Sequence, residues 1–190
     1  MTLTPSTMSD LGTPLPAFRL PDLDGQLRSD RDFLGAPALV VVFICPHCPY
    51  VKHVRAELAR FARDYRTHGV AVVAINSNDA AQHAEDGPAG MKAEAAAAGY
   101  TFPYLYDESQ AVAKAFHAAC TPDFFLFNAG RHLVYRGQFD GSRPDSRTPV
   151  SGADLRAAVD CVLDGRAVPA NQRPSVGCNV KWKPGNAPAY

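Results

Sequence analysis

Cys45, Pro46, His47 and Cys48 stand consecutively in this chain, two thiols three positions apart with a proline and an imidazole between them. Thiols at that spacing can close a disulfide and reopen it, storing two electrons in the sulfurs themselves. The thiolate is the attacking species. It is favoured where a helix begins, because unpaired backbone N–H groups and the positive dipole end gather there. Such a setting follows here, since the apolar run from Ala38 to Ile44 leads straight into the motif. The plainer reading is two buried or zinc-bound cysteines.

Three further cysteines, Cys120, Cys161 and Cys178, complete a set of five. Five unevenly spaced cysteines do not make a disulfide-stapled scaffold and point to catalytic, metal-binding or buried thiols in a reducing compartment.

The elements that must position the motif are readable. Ala17 to Ser29 reads as a short hairpin turning at Asp24-Gly25. Ala38 to Ile44 is continuously apolar and β-branched, as a strand buried on both faces requires. From Pro49 to Thr67, Val51, Val54, Leu58, Phe61 and Tyr65 recur at helical spacing among Lys52, Arg55, Arg60 and Arg63. Gly69 ends that helix, and Val70 to Ile75 forms a second buried strand, giving a right-handed crossover unit. Ala89 to Ala98 predicts a helix stopped by Gly99. Asp107 with Gln110 reads as a capping box for a helix ending near Ala118. Phe124 to Phe127 and Leu133 to Phe139 are strands of a hairpin turning at Asn128 to Arg131. Asp154 to Leu163 is a last helix with Leu155, Ala158, Val159 and Val162 inward and Cys161 beside them. Residues 1–168 thus form one domain. Residues 169–190, rich in proline, form an extended arm that docks through Val176, Val180, Trp182 and Tyr190.

At 190 residues, the chain can bury roughly 70% of its unfolded surface in one core. Its acidic and basic residues balance at 19 each, so neither nucleic acid nor an anionic membrane is an expected partner. Met1 to Pro16 has no uninterrupted apolar stretch, and a cytoplasmic location is expected.

The order of elements resembles the thioredoxin fold: a strand into Cys-x-x-Cys, helix and strand, then Thr121-Pro122 before a final hairpin and helix. Leu15 to Leu20 with Asp24-Gly25 is similar to the opening of the alkyl hydroperoxide reductase/thiol-specific antioxidant branch. Bacterial peroxiredoxin-like members of the thioredoxin superfamily share Cys-Pro-Tyr-Val-Lys-His (48 to 53), Ala-Ile-Asn-Ser-Asn (74 to 78), Thr-Pro-Asp-Phe-Phe (121 to 125) and Gly-Cys-Asn-Val-Lys-Trp-Lys-Pro-Gly (177 to 185). The resemblance implies an α/β fold with a central mixed sheet flanked by helices, an N-terminal hairpin and an extended C-terminal arm. It also implies a thiol–disulfide oxidoreductase without cofactor or metal. Its substrate would be a protein or small-molecule disulfide or thiol, and a separate thiol system would supply electrons.

In that reading Cys45 is the exposed nucleophile and Cys48 resolves the mixed disulfide. Pro46 and His47 set the reactivity, because the same Pro-His pair occurs in the strongly oxidising periplasmic relative. A protonated His47 would stabilise the thiolate, so Cys45 is expected to titrate well below a free thiol at about 8.5. Pro122 should be cis, facing the redox pair, with the Thr121 backbone free to pair with an extended substrate. Two positions depart from the thioredoxin pattern: Leu39 replaces its buried aspartate, and Ile44 its tryptophan.

A peroxidase reading also has support, because Cys48-Pro49 matches the end of the peroxiredoxin Pro-x-x-x-Thr-x-x-Cys-Pro pattern. Proline is comfortable as the first helical residue, which would leave Cys48 at the cap. Cys45 and Val41 nevertheless occupy the threonine and leading proline positions. Taking Cys45 as the peroxidatic residue fits no better, and Cys120 precedes Thr121-Pro122 where an arginine is expected nearby. Cys120 and Cys178 are candidate additional redox cysteines, the latter because peroxiredoxins sometimes hold a resolving cysteine in such an arm. A copper-handling role for Cys45, His47, Cys48 and His53 ranks last, because the spacing is one residue short of the copper chaperones'.

Overall fold

A computed structural model describes residues 3–190. Its centre is a five-stranded sheet of β4 (Ala38–Phe43), β5 (Ala71–Asn76), β6 (Tyr104–Tyr106), β8 (Asp123–Asn128) and β9 (Leu133–Gly137), in the order β6-β5-β4-β8-β9. β4, β5 and β6 are parallel; β8 runs against them and β9, antiparallel to β8, returns to their direction. The apolar run of β4 is explained by its central place. Val40 and Val42 face one core, with Val51, Leu58 and Phe61 of α1 (Pro49–Arg66) and Leu155 and Val159 of α4 (Ala153–Leu163). Leu39, Val41 and Phe43 face the other, with Phe116 of α3 (Ala111–Phe116) and Phe18 and Leu20 around β2 (Arg19–Pro21). Both faces are covered, so alternation is lost.

The α1 stripe packs as its spacing requires, with Val51, Val54, Leu58, Phe61 and Tyr65 all buried. α2 (Pro88–Ala98) ends at Gly99, whose left-handed φ of 68° lets its N–H reach back to Ala95 and Ala96. β2 pairs with β3 (Leu27–Ser29) in the expected hairpin. In α4 Cys161 is buried with Leu155, Ala158 and Val159, whereas Val162 is only partly covered.

α3 departs from expectation. It has no capping box: Gln110 sits at its N-cap with φ 64° and makes no cap bond. The Asp107 carboxylate accepts from Ser77 Oγ and Ala113 N–H at 2.8 and 3.0 Å. The Gln110 side chain is engaged by the C-terminal arm instead. Its Nε2 donates to Lys181 O at 2.9 Å and its Oε1 accepts from Lys183 N–H at 2.9 Å.

That arm contains β10 (Val176–Asn179), the middle strand of a second sheet, between β1 (Leu3–Pro5) and the two-residue β7 (Cys120–Thr121). Beyond β10, Val180 is buried and Trp182 packs against the second core. Tyr190 stacks on His117 at 4.8 Å. Among the described residues, no helix is long and apolar enough to cross a membrane.

Candidate active site

β4 carries the chain to the C-terminal end of the parallel strands, and Ile44 N–H extends its pairing by donating to Ile75 O at 3.0 Å. The chain then turns through Cys45, Pro46 and His47 before α1 begins. Pro49 is the first helical residue and Cys48 the N-cap, as a residue without an N–H to lose favours. The helix N-terminus therefore acts on the second cysteine. Thr121-Pro122 lies across from it with the expected cis peptide bond.

Cys48 Sγ lies 3.1 Å from Cys178 Sγ and 3.2 Å from the Thr121 carbonyl oxygen. Cys45 Sγ lies 3.5 Å from Thr121 Oγ1 and 3.6 Å from His47 Nδ1. Both Cys45 and Cys48 are 0% exposed, which corrects the expectation of an exposed nucleophile at Cys45.

The Cys45 thiol shifts in the direction opposite to the expected one. Burial pushes that thiol well above its ordinary value, and its link to Cys48 and the negative charge of Asp86 add to the rise. Cys48 moves the other way. Hydrogen bonding from Cys178 and then from Cys45 holds its thiolate far below the usual range against the cost of burial, with smaller help from Thr121 and the Val51 N–H. The Thr121 carbonyl favours the neutral thiol, but it is one contact against several donors and the helix N-terminus. The physical reason is that the helix, starting at Pro49 as expected, turns its N-terminus on Cys48 and not on Cys45. Cys45 follows a buried strand near an anion, whereas Cys48 caps a helix.

Asp86, which no local pattern in the sequence singles out, organises the motif loop. Its fully buried carboxylate accepts from His47 Nδ1 at 2.5 Å, from the His47 N–H at 3.2 Å and from Asn78 Nδ2 at 2.8 Å. Burial opposes its charge, but the His47 and Asn78 hydrogen bonds outweigh that and hold its pKa below the ordinary value. His47 is itself buried and stacks on His83 at 4.0 Å. It is neither exposed nor at the helix terminus. Asn76 ends β5 and Ser77 and Asn78 follow it, and polar residues closing a buried parallel strand were the available signal for this network.

Donor atoms of Cys45, His47 and Asp86 lie within 4.8 Å of one another. A metal there would have to break the His47–Asp86 hydrogen bond, which already accounts for two of the three. His53 is directed elsewhere, with Nε2 3.0 Å from Ser142 Oγ. Leu39 is fully buried in the second core, so β4 supplies no proton acceptor. A second buried acid is Glu94 of α2, pushed up to about 7 by burial despite the charges of Arg55 and Lys52, and acted on by the charge of Cys48.

Of the remaining cysteines, only Cys178 joins the site. Cys120 is buried with its thiol 3.7 Å from Pro122 O, and burial raises its pKa well above normal. Cys161 lies on α4, its sulfur accepting from Arg166 Nη1 at 3.2 Å.

Residues 10–154 match the Redoxin family model. The chain belongs to the Redoxin family. Membership supports an oxidoreductase activity in general, on a thioredoxin-like fold. This Redoxin chain is 54% identical to a hypothetical protein from Sinorhizobium meliloti 1021 (TM-score 0.94, covering 96% of this chain and 100% of that one). It is 53% identical to an uncharacterized conserved protein from Geobacillus kaustophilus (TM-score 0.95, covering 97% and 98%). A thiol:disulfide interchange protein from Chlorobium tepidum TLS shares the fold at 19% identity (TM-score 0.62, covering 82% and 99%). No curated protein matches the chain in sequence.

Proposed function

We propose that this protein is a thiol–disulfide oxidoreductase whose Cys-Pro-His-Cys pair exchanges electrons with a disulfide or thiol substrate, with Cys48 supplying the attacking sulfur and Cys45 its partner in the motif. The observation that carries the reading is Cys48 at the N-cap of α1, its sulfur 3.1 Å from that of Cys178. The Cys48 thiolate attacks a substrate disulfide and the substrate's other sulfur leaves. Cys45 then displaces the bound sulfur and closes the 45–48 bond, and an external thiol restores both. His47, pinned by Asp86, and Thr121 position Cys45. A cytoplasmic site of action belongs to the same reading.

Rates of disulfide reduction by the wild type, Cys48→Ser and Cys45→Ser test it. Loss of attack in Cys48→Ser, with adduct formation retained in Cys45→Ser, is expected. Retained attack in Cys48→Ser would overturn the assignment.

A second reading shares the same sulfur. Cys48 followed by Pro49 at the first helical position is the arrangement favouring a thiol peroxidase, in which Cys48 attacks a peroxide. Peroxide consumption by the same samples separates the two.

A further inference from the structure

Cys178 belongs to an arm 130 positions away from Cys48, yet its sulfur lies 3.1 Å from that of Cys48. Strand pairing delivers it there. β10 runs antiparallel to β7, with Cys178 opposite Thr121 and Asn179 opposite Cys120. Thr121 is also the residue whose carbonyl touches Cys48 and whose hydroxyl touches Cys45. An extended chain laid along β7 therefore presents the residue opposite Thr121 to the Cys48 sulfur. In this molecule its own arm fills that berth, and the residue so presented is a cysteine.

The close approach is built in. A Cβ at Gly177 would stand 2.0 Å from the Thr121 carbonyl oxygen, so a side chain there would push the arm off β7. The arm is anchored immediately beyond the contact. Val180 N–H donates to Ala119 O at 3.1 Å, Lys181 N–H to Asn78 Oδ1 at 2.8 Å, and Gln110 grips Lys181 and Lys183. A disulfide needs a sulfur separation of about 2.05 Å, so roughly an ångström of side-chain movement joins the two cysteines.

We propose that Cys178 is a second resolving cysteine, an internal thiol that competes with Cys45 for Cys48 and closes a disulfide between the arm and the active site. The proposal rests on Cys48 being the attacking sulfur. Once Cys48 has attacked a disulfide R–S–S–R and one thiolate has left, Cys48 is joined to the second sulfur. Cys178 gives up its proton and attacks the Cys48 sulfur. The bond to the substrate breaks, and the departing substrate thiolate takes up that proton. Each cycle thus oxidises two protein thiols and reduces one disulfide. The resulting 48–178 bond exchanges with the 45–48 bond by attack of Cys45 on Cys48, which frees the Cys178 thiolate.

Glutathione disulfide is a sufficient probe, with full-length Cys45→Ser and Cys45→Ser/Cys178→Ser proteins. Released glutathione is counted, and linkages are mapped by mass spectrometry of digests. The single variant should release two glutathiones per chain and yield a 48–178 peptide pair. The double variant should release one and stop at a glutathione adduct on Cys48. Single release with a persistent Cys48 adduct in Cys45→Ser would overturn the role of Cys178 while leaving Cys48 as the attacking sulfur. Absence of any adduct on Cys48 in the double variant would overturn the attacking-sulfur reading and this inference together. Cys45→Ala variants provide the same two counts should serine in the buried site impair folding.

Discussion

The Cys178 sulfur is held 3.1 Å from the Cys48 sulfur by strand pairing in which Cys178 faces Thr121. The arm and the Cys-Pro-His-Cys loop therefore meet at one place. Changes far from the Cys-Pro-His-Cys loop in sequence should alter its chemistry.

Gly177→Val should loosen the arm. A side chain at this position collides with the Thr121 carbonyl, and overpacking of this kind costs about 2 kcal/mol. If that cost falls on the docked state, the population with the arm released rises about 30-fold. Alkylation of Cys48 by iodoacetamide, followed by peptide mapping, should accelerate accordingly. An unchanged rate would show that the arm does not govern access.

Gln110→Ala should act on the same equilibrium from the other end, because it removes the grip on Lys181 and Lys183. Trp182 is the only tryptophan and packs against the second core. Its emission should shift to the red, and Cys48 should alkylate faster. Emission at the wild-type wavelength would show that the arm stays docked without Gln110.

Asp86→Asn should free the motif loop. It removes a buried, charge-assisted hydrogen bond to His47, at a cost of about 2 kcal/mol. Because the Asp86 pKa is lowered on folding, its contribution is present above the ordinary aspartate value of 3.8 and is lost as pH falls through the lower, folded value. Urea titrations across the acid range should show that loss in the wild type and not in the variant. Removing the anion should also lower the pKa of Cys45, which Asp86 raises.

Glu94 and Asp123 should have the opposite effect at higher pH. Burial pushes both carboxyl groups up to about 7. They hold protons more tightly folded than unfolded, so the stability this confers is complete below about pH 4. It is lost as pH rises through about 7, on the order of 3 kcal/mol for Glu94 and about 4 kcal/mol for Asp123. Glu94→Gln and Asp123→Asn should each flatten the profile between those limits. A wild-type stability constant from pH 5 to 8 would contradict this.

The scaffold was readable because its signals are local. The run at Ala38 to Ile44, the helical spacing from Val51 to Tyr65 and the Thr121-Pro122 turn each announce one element, and all stand where expected. The division of labour between the two thiols was not, because it depends on where α1 begins. Pro46 and Pro49 are both acceptable as first helical residues. The helix starts at Pro49, as its spacing predicts, and so its terminus lies at Cys48, whereas the resemblance to thioredoxins assigns the attack to Cys45. Asp86 was missed because its partners His47 and Asn78 converge only in three dimensions. Gln110 was misread for the same reason, since a side chain suited to a local cap was taken by Lys181 and Lys183 from the distant arm.

β10 has neighbours on both flanks, β1 on one side and β7 on the other. A strand held in this way does not fray from one side, so both ladders must part for it to come away. Reactivity at the sulfurs beneath should then switch between a dormant form, in which bulk reagents meet only unreactive surface, and a briefly awakened one. An incoming peptide that trades places with the tail would gain backbone partners as it bares the thiolate.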